Sequence, residues 1–354
     1  MRGEAVSGKG LSAFEKRLCN ALQDGLPTCQ RPYAEVAKQL GVDEKTVLEG
    51  TRRLVKRGVI RRIGAVINWR AIGKASTLVT ACIAKGKLKK VVEAVNRLEG
   101  ISHNYLRRHH FNLWFTLRAN SQREITATLK KLSKRFGVTF NSLPVVRTFK
   151  LDVRFDAESD GKRLLESEDR GPCFAKATQG RQMTDGGIRT ISKIDERILA
   201  GLEEGLKVVK RPFDFISEDE FEIADGLLHI EGMIQEGVIS RLGAIVNHHK
   251  LGFVANAMFV CKVGPRQRHS RVPAKDMLGQ AGGARVIEVG QKLAELKIVS
   301  HCYQRKPFAC WPYNLFAMMH GTSQADIRRV VDRFVREEKI REWEVLQTVE
   351  KLRK

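Results

Sequence analysis

The 354-residue sequence predicts an α+β protein made of two tandem copies of one unit, each opening with three short helices and a β wing and closing with a βαββαβ sandwich. Three observations predict it. The run Val59-Ile60-Arg61-Arg62-Ile63-Gly64-Ala65-Val66-Ile67-Asn68 returns as Val238-Ile239-Ser240-Arg241-Leu242-Gly243-Ala244-Ile245-Val246-Asn247. Downstream and in the same order, Ser102-His103-Asn104-Tyr105-Leu106-Arg107 is echoed by Ser300-His301-Cys302-Tyr303-Gln304-Arg305, and Phe111-Asn112-Leu113 by Tyr313-Asn314-Leu315. Between the copies, residues 157–190 carry Glu, Asp, Arg, Gly, Ser and Gln with little apolar periodicity, as an exposed linker does.

In the first copy the 3.6-residue period predicts helices over Ala13 to Leu22, Tyr33 to Leu40 and Asp43 to Lys56, with a turn at Gly41 and Asp43 as the N-cap of the third. This is helix-turn-helix spacing, and the β-rich run Val59 to Asn68 supplies a wing, so residues 1–70 form a winged helix-turn-helix. Residues 71–156 then alternate strand and helix patterns. Thr77 to Ile83 reads as a strand, Leu88 to Leu98 as a helix, Ile101 to Arg107 and Phe111 to Leu117 as paired strands, Glu124 to Phe136 as a helix and Val145 to Phe155 as a strand. That order is the ferredoxin-like split βαβ arrangement, with helices on one sheet face and the other face free to bind or dimerise. Residues 191–250 repeat the head in degenerate form. Residues 251–354 repeat the sandwich from Ala255 to Val263 through Tyr313 to His320 and Arg341 to Val349, with an inserted loop at 264–283.

Lys and Arg number 63 against 40 Asp and Glu, a formal charge of +23 that asks for an anionic partner: nucleic acid, an anionic surface, or a polycarboxylate or phosphate ligand. The seven cysteines (19, 29, 82, 173, 261, 302, 310) are scattered and contain no C-x-x-C pair, which argues against a disulfide framework and a zinc site. No signal-peptide core and no run of twenty apolar residues is present, so a cytoplasmic protein without membrane contact is expected. A nucleotide loop, a serine-nucleophile elbow and an H-E-x-x-H metal motif are all missing, and no metal ligands are assigned.

Alternate side chains on a strand share a face, so His103, Tyr105 and Arg107 point together, as do His301, Tyr303 and Arg305. The intervening residues change between copies (Asn104 to Cys302, Leu106 to Gln304) while this face is kept, which points to function rather than packing.

A winged helix-turn-helix joined to a ferredoxin-like domain resembles the Lrp/AsnC regulators. The pairing of SHNYLR with HHFNLWF, and of SHCYQR with WPYNLFAMMHG, resembles more specifically the siroheme decarboxylase family, with its two subunit types joined in one chain. The resemblance implies removal of two acetate carboxyl groups from siroheme to give 12,18-didecarboxysiroheme, in heme or modified-heme biosynthesis. It makes siroheme the substrate and requires no other cofactor. Histidine suits proton delivery and arginine suits a carboxylate grip. By the family pattern His109 is a second site residue of the first copy, with His110 beside it, and His320 closes the second as a proton donor or iron ligand. Arg61, Arg62, Arg108 and Arg241 join Arg107 and Arg305 as cations for an octacarboxylate, Arg61 and Arg62 reading equally well as a wing's contacts to a DNA backbone, and Tyr105, Tyr303, Asn112, Tyr313 and Asn314 complete the candidate binding set.

The competing readings are a DNA-binding Lrp/AsnC-type regulator and a heme sensor without turnover. Lys45, Arg52, Arg53, Lys56 and Arg57 give the first head a basic third helix suited to a major groove. The second head carries seven acidic residues and no Lys or Arg between Ser217 and Gly237, which phosphates would repel, so nucleic acid is not the expected partner. The two copies are expected to pair as an intramolecular pseudodimer or, through the exposed sheet faces, as a homodimer.

Overall fold

The computed structural model describes residues 10–151, 154–158, 189–217, 222–264 and 280–353; most of the predicted linker and of the inserted loop lies outside them. The described residues form two compact units, but not the two copies in succession: like segments gather with like. Among the described residues one unit draws on 10–68, 154–158, 191–217 and 222–252, and the other on 69–151, 189–190, 253–264 and 280–353.

The first unit holds both heads. Helix α1 (Ala13–Asp24) starts at a capping box in which Ser12 and Glu15 satisfy each other's backbone N–H. The same Glu15 pairs with Arg57 at 3.0 Å, joining the start of α1 to the end of α3 (Glu44–Lys56). Asp43 caps α3 as predicted, accepting from the Thr46 N–H at 2.8 Å. α2 (Pro32–Leu40) ends at Gly41 with φ 70, a left-handed position that glycine occupies without steric cost. In the second head α6 (Lys193–Glu204) and α7 (Ile223–Gln235) match α1 and α3, but a single 3-10 turn at Asp214–Ile216 precedes α7 where the first head has α2.

The wings β1 (Ile60–Ile67) and β6 (Ile239–Val246) pair antiparallel, Gly64 opposite Gly243. A Cβ on Gly64 would sit 2.3 Å from the Leu202 carbonyl oxygen, and one on Gly243 would sit 2.5 Å from that of Leu22, so the ends of α6 and α1 rest directly on the wings. Arg62 and Arg241 complete this seat. Arg62 Nη1 donates to the Leu202 carbonyl at 3.1 Å and Arg241 Nη1 to the Gln23 carbonyl at 2.6 Å. The expected role of these two arginines as ligand cations is thereby corrected: their guanidinium groups answer the unpaired carbonyls at helix C-termini, in mirrored positions. Gly64→Ala should destabilise the protein by about 1–3 kcal/mol through overpacking, read as a lower denaturant midpoint at unchanged slope. An unchanged midpoint would show that the helix end is not seated as described.

The second unit holds both sandwiches. The first supplies β2 (Ala75–Ala81), α4 (Lys85–Asn96), β3 (Ile101–Arg107), β4 (Leu113–Ala119), α5 (Gln122–Phe136) and β5 (Phe140–Leu151); the second supplies β7 (Ala255–Cys261), α8 (Gln280–Glu295), β8 (Val299–Arg305), β9 (Leu315–Gly321), α9 (Gln324–Glu337) and β10 (Trp343–Lys351). The strands close into one barrel in the order β10-β3-β4-β2-β5-β8-β9-β7, every pairing antiparallel. Each copy's last strand thus pairs with the β3 or β8 edge of the other. The sheet faces expected to be free are the inner wall of this barrel, and closure removes the strand edges. β5 begins five residues before the predicted Val145. Its start is polar (Asn141, Ser142) and contains Pro144, which the alternation rule rejects. Pro144 falls where β5 leaves β2 and takes up β8, so its missing N–H falls at the change of partner.

Two cores result. Val79, Val91, Val95, Leu113, Phe115 and Ile125 pack between the first sheet and its helices. Trp114, Leu143, Met258, Val260, Trp311, Tyr313, Phe316 and Leu346 fill the barrel interior, drawing on both copies.

Candidate active site

The register settles which side chains face inward. His103 lies opposite Thr116 and Tyr105 opposite Trp114, and Trp114 is a barrel-interior residue, so the predicted face of His103, Tyr105 and Arg107 points into the barrel. The same holds for His301, Tyr303 and Arg305, with Tyr303 opposite the interior Phe316. The two faces have near-identical geometry. His103 and Tyr105 rings lie 6.1 Å apart, and so do those of His301 and Tyr303. Arg107 stands 5.5 Å from the Tyr105 ring centre and Arg305 4.9 Å from that of Tyr303. His103 is exposed and His301 half-buried.

The two guanidinium groups are the unusual feature. Arg107 is 4% exposed and Arg305 9%. Arg107 Nη1 donates to the Leu346 carbonyl at 2.8 Å and to Thr348 Oγ1 at 3.1 Å; Arg305 Nη1 donates to the Leu143 carbonyl at 2.7 Å. Each bond crosses from one copy's β3 or β8 to the other copy's last strand. Among the described residues neither arginine has a carboxylate partner, and the Nε of each is buried without an acceptor. Burial pulls both down to about 10, against the help of Tyr105 and Tyr303, and Arg70 adds a further positive charge near Arg305. Burial likewise pushes the Tyr303 phenol up to about 12. Two desolvated cations with spare donors form a standing demand for an anion.

A second cluster occurs once. His109 Nδ1 accepts the Phe111 N–H at 2.9 Å, which puts the ring proton on Nε2, 3.1 Å from Glu344 Oε2. The other oxygen of Glu344 accepts the Tyr313 hydroxyl at 2.7 Å, and burial together with this bond raises the phenol. The His109 ring meets Trp311 edge-on at 5.4 Å, with Phe111 and Phe308 close by. The buried Trp311 Nε1–H has no acceptor among the described residues. His110 turns outward, 3.8 Å from Cys82 Sγ. The cluster is not repeated because Arg305 is followed at the matching step by Pro307 instead of His109. Counting back from Leu346 and Leu143, the two residues that accept from the buried arginines, Glu344 matches Asn141.

His320 is buried at the end of β9, its Nε2 3.0 Å from Ser300 Oγ, and Ser300 Oγ lies 2.9 Å from His301 Nδ1. The strands therefore bring together His301, Tyr303, Arg305 and His320 on one side and His103, Tyr105 and Arg107 on the other, with His109 and Tyr313 joined by Glu344. Asn112 and Asn314, expected to bind ligand, are corrected. Each gives its amide oxygen to a backbone N–H and its nitrogen to the carbonyl of the same residue, Ile83 and Val263 respectively, and so extends strand pairing at the hairpins. Arg108 is exposed beside the first hairpin. Arg61, Arg62 and Arg241 belong to the head unit, not to the barrel. Glu344, Ser300 and Arg70 were not singled out from the sequence. Glu344 lies far along the chain from His109 and carries no repeat signal, since its counterpart is Asn141.

This combination of paired helix-turn-helix heads with a barrel that presents buried cations and imidazoles defines a helix-turn-helix protein with an AsnC-like ligand-binding domain. A family model described as AsnC-like ligand binding domain matches residues 71–150 and 280–353, and one described as siroheme decarboxylase NirDL-like HTH domain matches residues 15–61. A siroheme decarboxylase of Hydrogenobacter thermophilus is 30% identical over 347 residues, covering 96% of this chain and 93% of its own. The siroheme decarboxylase NirDL subunit of Paracoccus denitrificans is 30% identical over 320 residues, covering 90% and 88%. Among solved structures, siroheme decarboxylase NirDL aligns with a TM-score of 0.66 at 26% identity, covering 96% of this chain and 92% of that one. The NirDL co-complex with an iron-uroporphyrin III analogue aligns at 0.65 with the same identity and coverage. The chain belongs to the siroheme decarboxylase family. Among the described residues, no helix is long and apolar enough to cross a membrane.

Proposed function

We propose that this chain decarboxylates two acetate side chains of siroheme to give 12,18-didecarboxysiroheme, in the biosynthesis of heme or a modified heme. The observation that carries the reading is the pair of buried guanidinium groups, Arg107 and Arg305, each with an unused Nε and each beside a histidine and a tyrosine on the barrel's inner wall. A macrocycle ringed with carboxylates supplies the missing anions. Its reaction uses the neighbouring imidazoles: the bond between methylene and carboxyl breaks, carbon dioxide leaves, and the electron pair left on carbon takes a proton to make a methyl group. Siroheme is the substrate, and no resident cofactor or protein-bound metal takes part.

On this reading the chain is two joined copies of a winged helix-turn-helix and a ferredoxin-like domain, an internal pseudodimer working in the cytoplasm. The heads serve as scaffold. Nucleic acid is disfavoured by the acidic second head and by the lone 3-10 turn ahead of its α7. Anaerobic incubation with siroheme, followed by mass spectrometry, tests the proposal. Loss of two carbon dioxide units is expected. Binding without mass change would leave a sensor, and retardation of a palindromic duplex with no tetrapyrrole binding would make the chain a regulator.

A further inference from the structure

The strand β8 contains a bulge. Val299 pairs with Met319 and His301 with Met318, so Ser300 is the extra residue. A bulge re-aims side chains, and here it turns the Ser300 hydroxyl to the side of His301 instead of the opposite face. Ser300 is 4% exposed and His320 8%. Its Oγ lies 2.9 Å from His301 Nδ1, 3.0 Å from His320 Nε2 and 3.3 Å from the Met318 carbonyl. A hydroxyl both donates and accepts, so it can pass a proton from one ring to the other.

We infer that His320, Ser300 and His301 form a proton relay to the bound macrocycle. The inference rests on the decarboxylase reading. His301 Nδ1 faces Ser300, so in the relay the ring delivers its proton through its other nitrogen, Nε2. In the step, Nε2–H of His301 gives its proton to the carbon from which carbon dioxide has left. His301 Nδ1 takes the hydroxyl proton of Ser300, and Ser300 Oγ takes the Nε2 proton of His320. The net change is one proton moved from a protonated His320 to the methyl product, with His301 switched between its neutral tautomers. Such a supply matters when a flat macrocycle covers the half-buried His301 and separates it from water while two acetates must be protonated in turn.

The first copy has the bulge and the hydroxyl but not the reserve. Ser102 is the extra residue of β3 and its Oγ lies 3.0 Å from His103 Nδ1. Two residues beyond Thr116, which pairs with His103, stands Arg118, whose guanidinium lies 4.0 Å over the Trp69 ring; two beyond Met318, which pairs with His301, stands His320. The relay is therefore built once.

Ser300 acts through the two imidazoles and is a positioning residue. Single-turnover decarboxylation of siroheme by the full chain, measured in mixtures of light and heavy water, tests it. Wild type should give a curved dependence on deuterium fraction, because several protons move together. Ser300→Ala should lower the single-turnover rate roughly 10²-fold, keep siroheme affinity, and give a straight dependence. Ser300→Thr, which restores the hydroxyl, should recover most of the rate, and His320→Gln should copy Ser300→Ala. A Ser300→Ala chain that keeps the wild-type rate, or a slowed one whose dependence stays curved, overturns the relay. If wild type releases no carbon dioxide from siroheme, the decarboxylase reading falls and the relay with it; wild-type turnover with an indifferent Ser300→Ala sinks the relay alone.

Discussion

A chain carrying Arg305→Met is expected to melt close to the wild-type temperature and to bind siroheme on the order of a hundredfold more weakly. The two halves of that expectation come from one observation. Arg305 is buried with a single carbonyl bond, an unused Nε and the added repulsion of Arg70. Bringing such a cation out of water costs several kcal/mol, and nothing in the described residues offsets it in full. Methionine fills the volume without the charge. The loss is the bond to the Leu143 carbonyl, about 1–3 kcal/mol if that oxygen is left unsatisfied, which roughly cancels the relieved desolvation. A substrate carboxylate paired with Arg305, in contrast, loses that partner, and losing one member of a buried hydrogen-bonded ion pair costs about 2–5 kcal/mol of binding. Thermal melts and siroheme titrations at fixed salt check both halves. A variant that loses stability but keeps affinity would make Arg305 a seam between β8 and β5 and nothing more.

Much of this site was legible because the duplication repeats it. The His-Tyr-Arg faces, the two wing runs and the helix limits of α3 and α5 all follow from local pattern and from comparing one copy with the other, whereas the pairing of Gly64 with Gly243 across the wings does not. What was not legible depends on long-range pairing. Arg62 and Arg241 look like ligand cations in a row of residues; only the approach of α6 and α1 shows them occupied by carbonyls. Asn112 and Asn314 recur as faithfully as the tyrosines, yet for hairpin geometry. Glu344 and His109 are separated by most of the chain and meet because β10 crosses over to pair with β3 at its far end and with β7 at its start. Ser300 escaped for a different reason. Strict alternation places it on the outer face, and one bulge reverses that.

The second large effect concerns the histidines themselves. His301→Ala should lower turnover about 10²- to 10⁴-fold, the usual range for a general acid, while the lost Ser300 bond costs only about 0.5–1.5 kcal/mol of stability. His103 is exposed and bonds to its neighbour Ser102, so His103→Ala should change stability by less than about 0.5 kcal/mol. The two variants need not slow the reaction equally. Behind His301 stands His320, a second imidazole; behind His103 stands Arg118, whose guanidinium lies 4.0 Å over the Trp69 ring. If both acetates are protonated from the better supplied side, His301→Ala slows both losses together and His103→Ala slows them less. If each face serves one acetate, each variant stalls with a singly decarboxylated product. Mass spectra of quenched reactions separate these outcomes, and full activity in both variants would remove the imidazoles from the chemistry. The asymmetry favours the first. On the proposed reading, a duplicated barrel that keeps His-Tyr-Arg twice but places His320, Glu344 and His109 once should divide the work between its halves, one face supplying protons and both supplying cations.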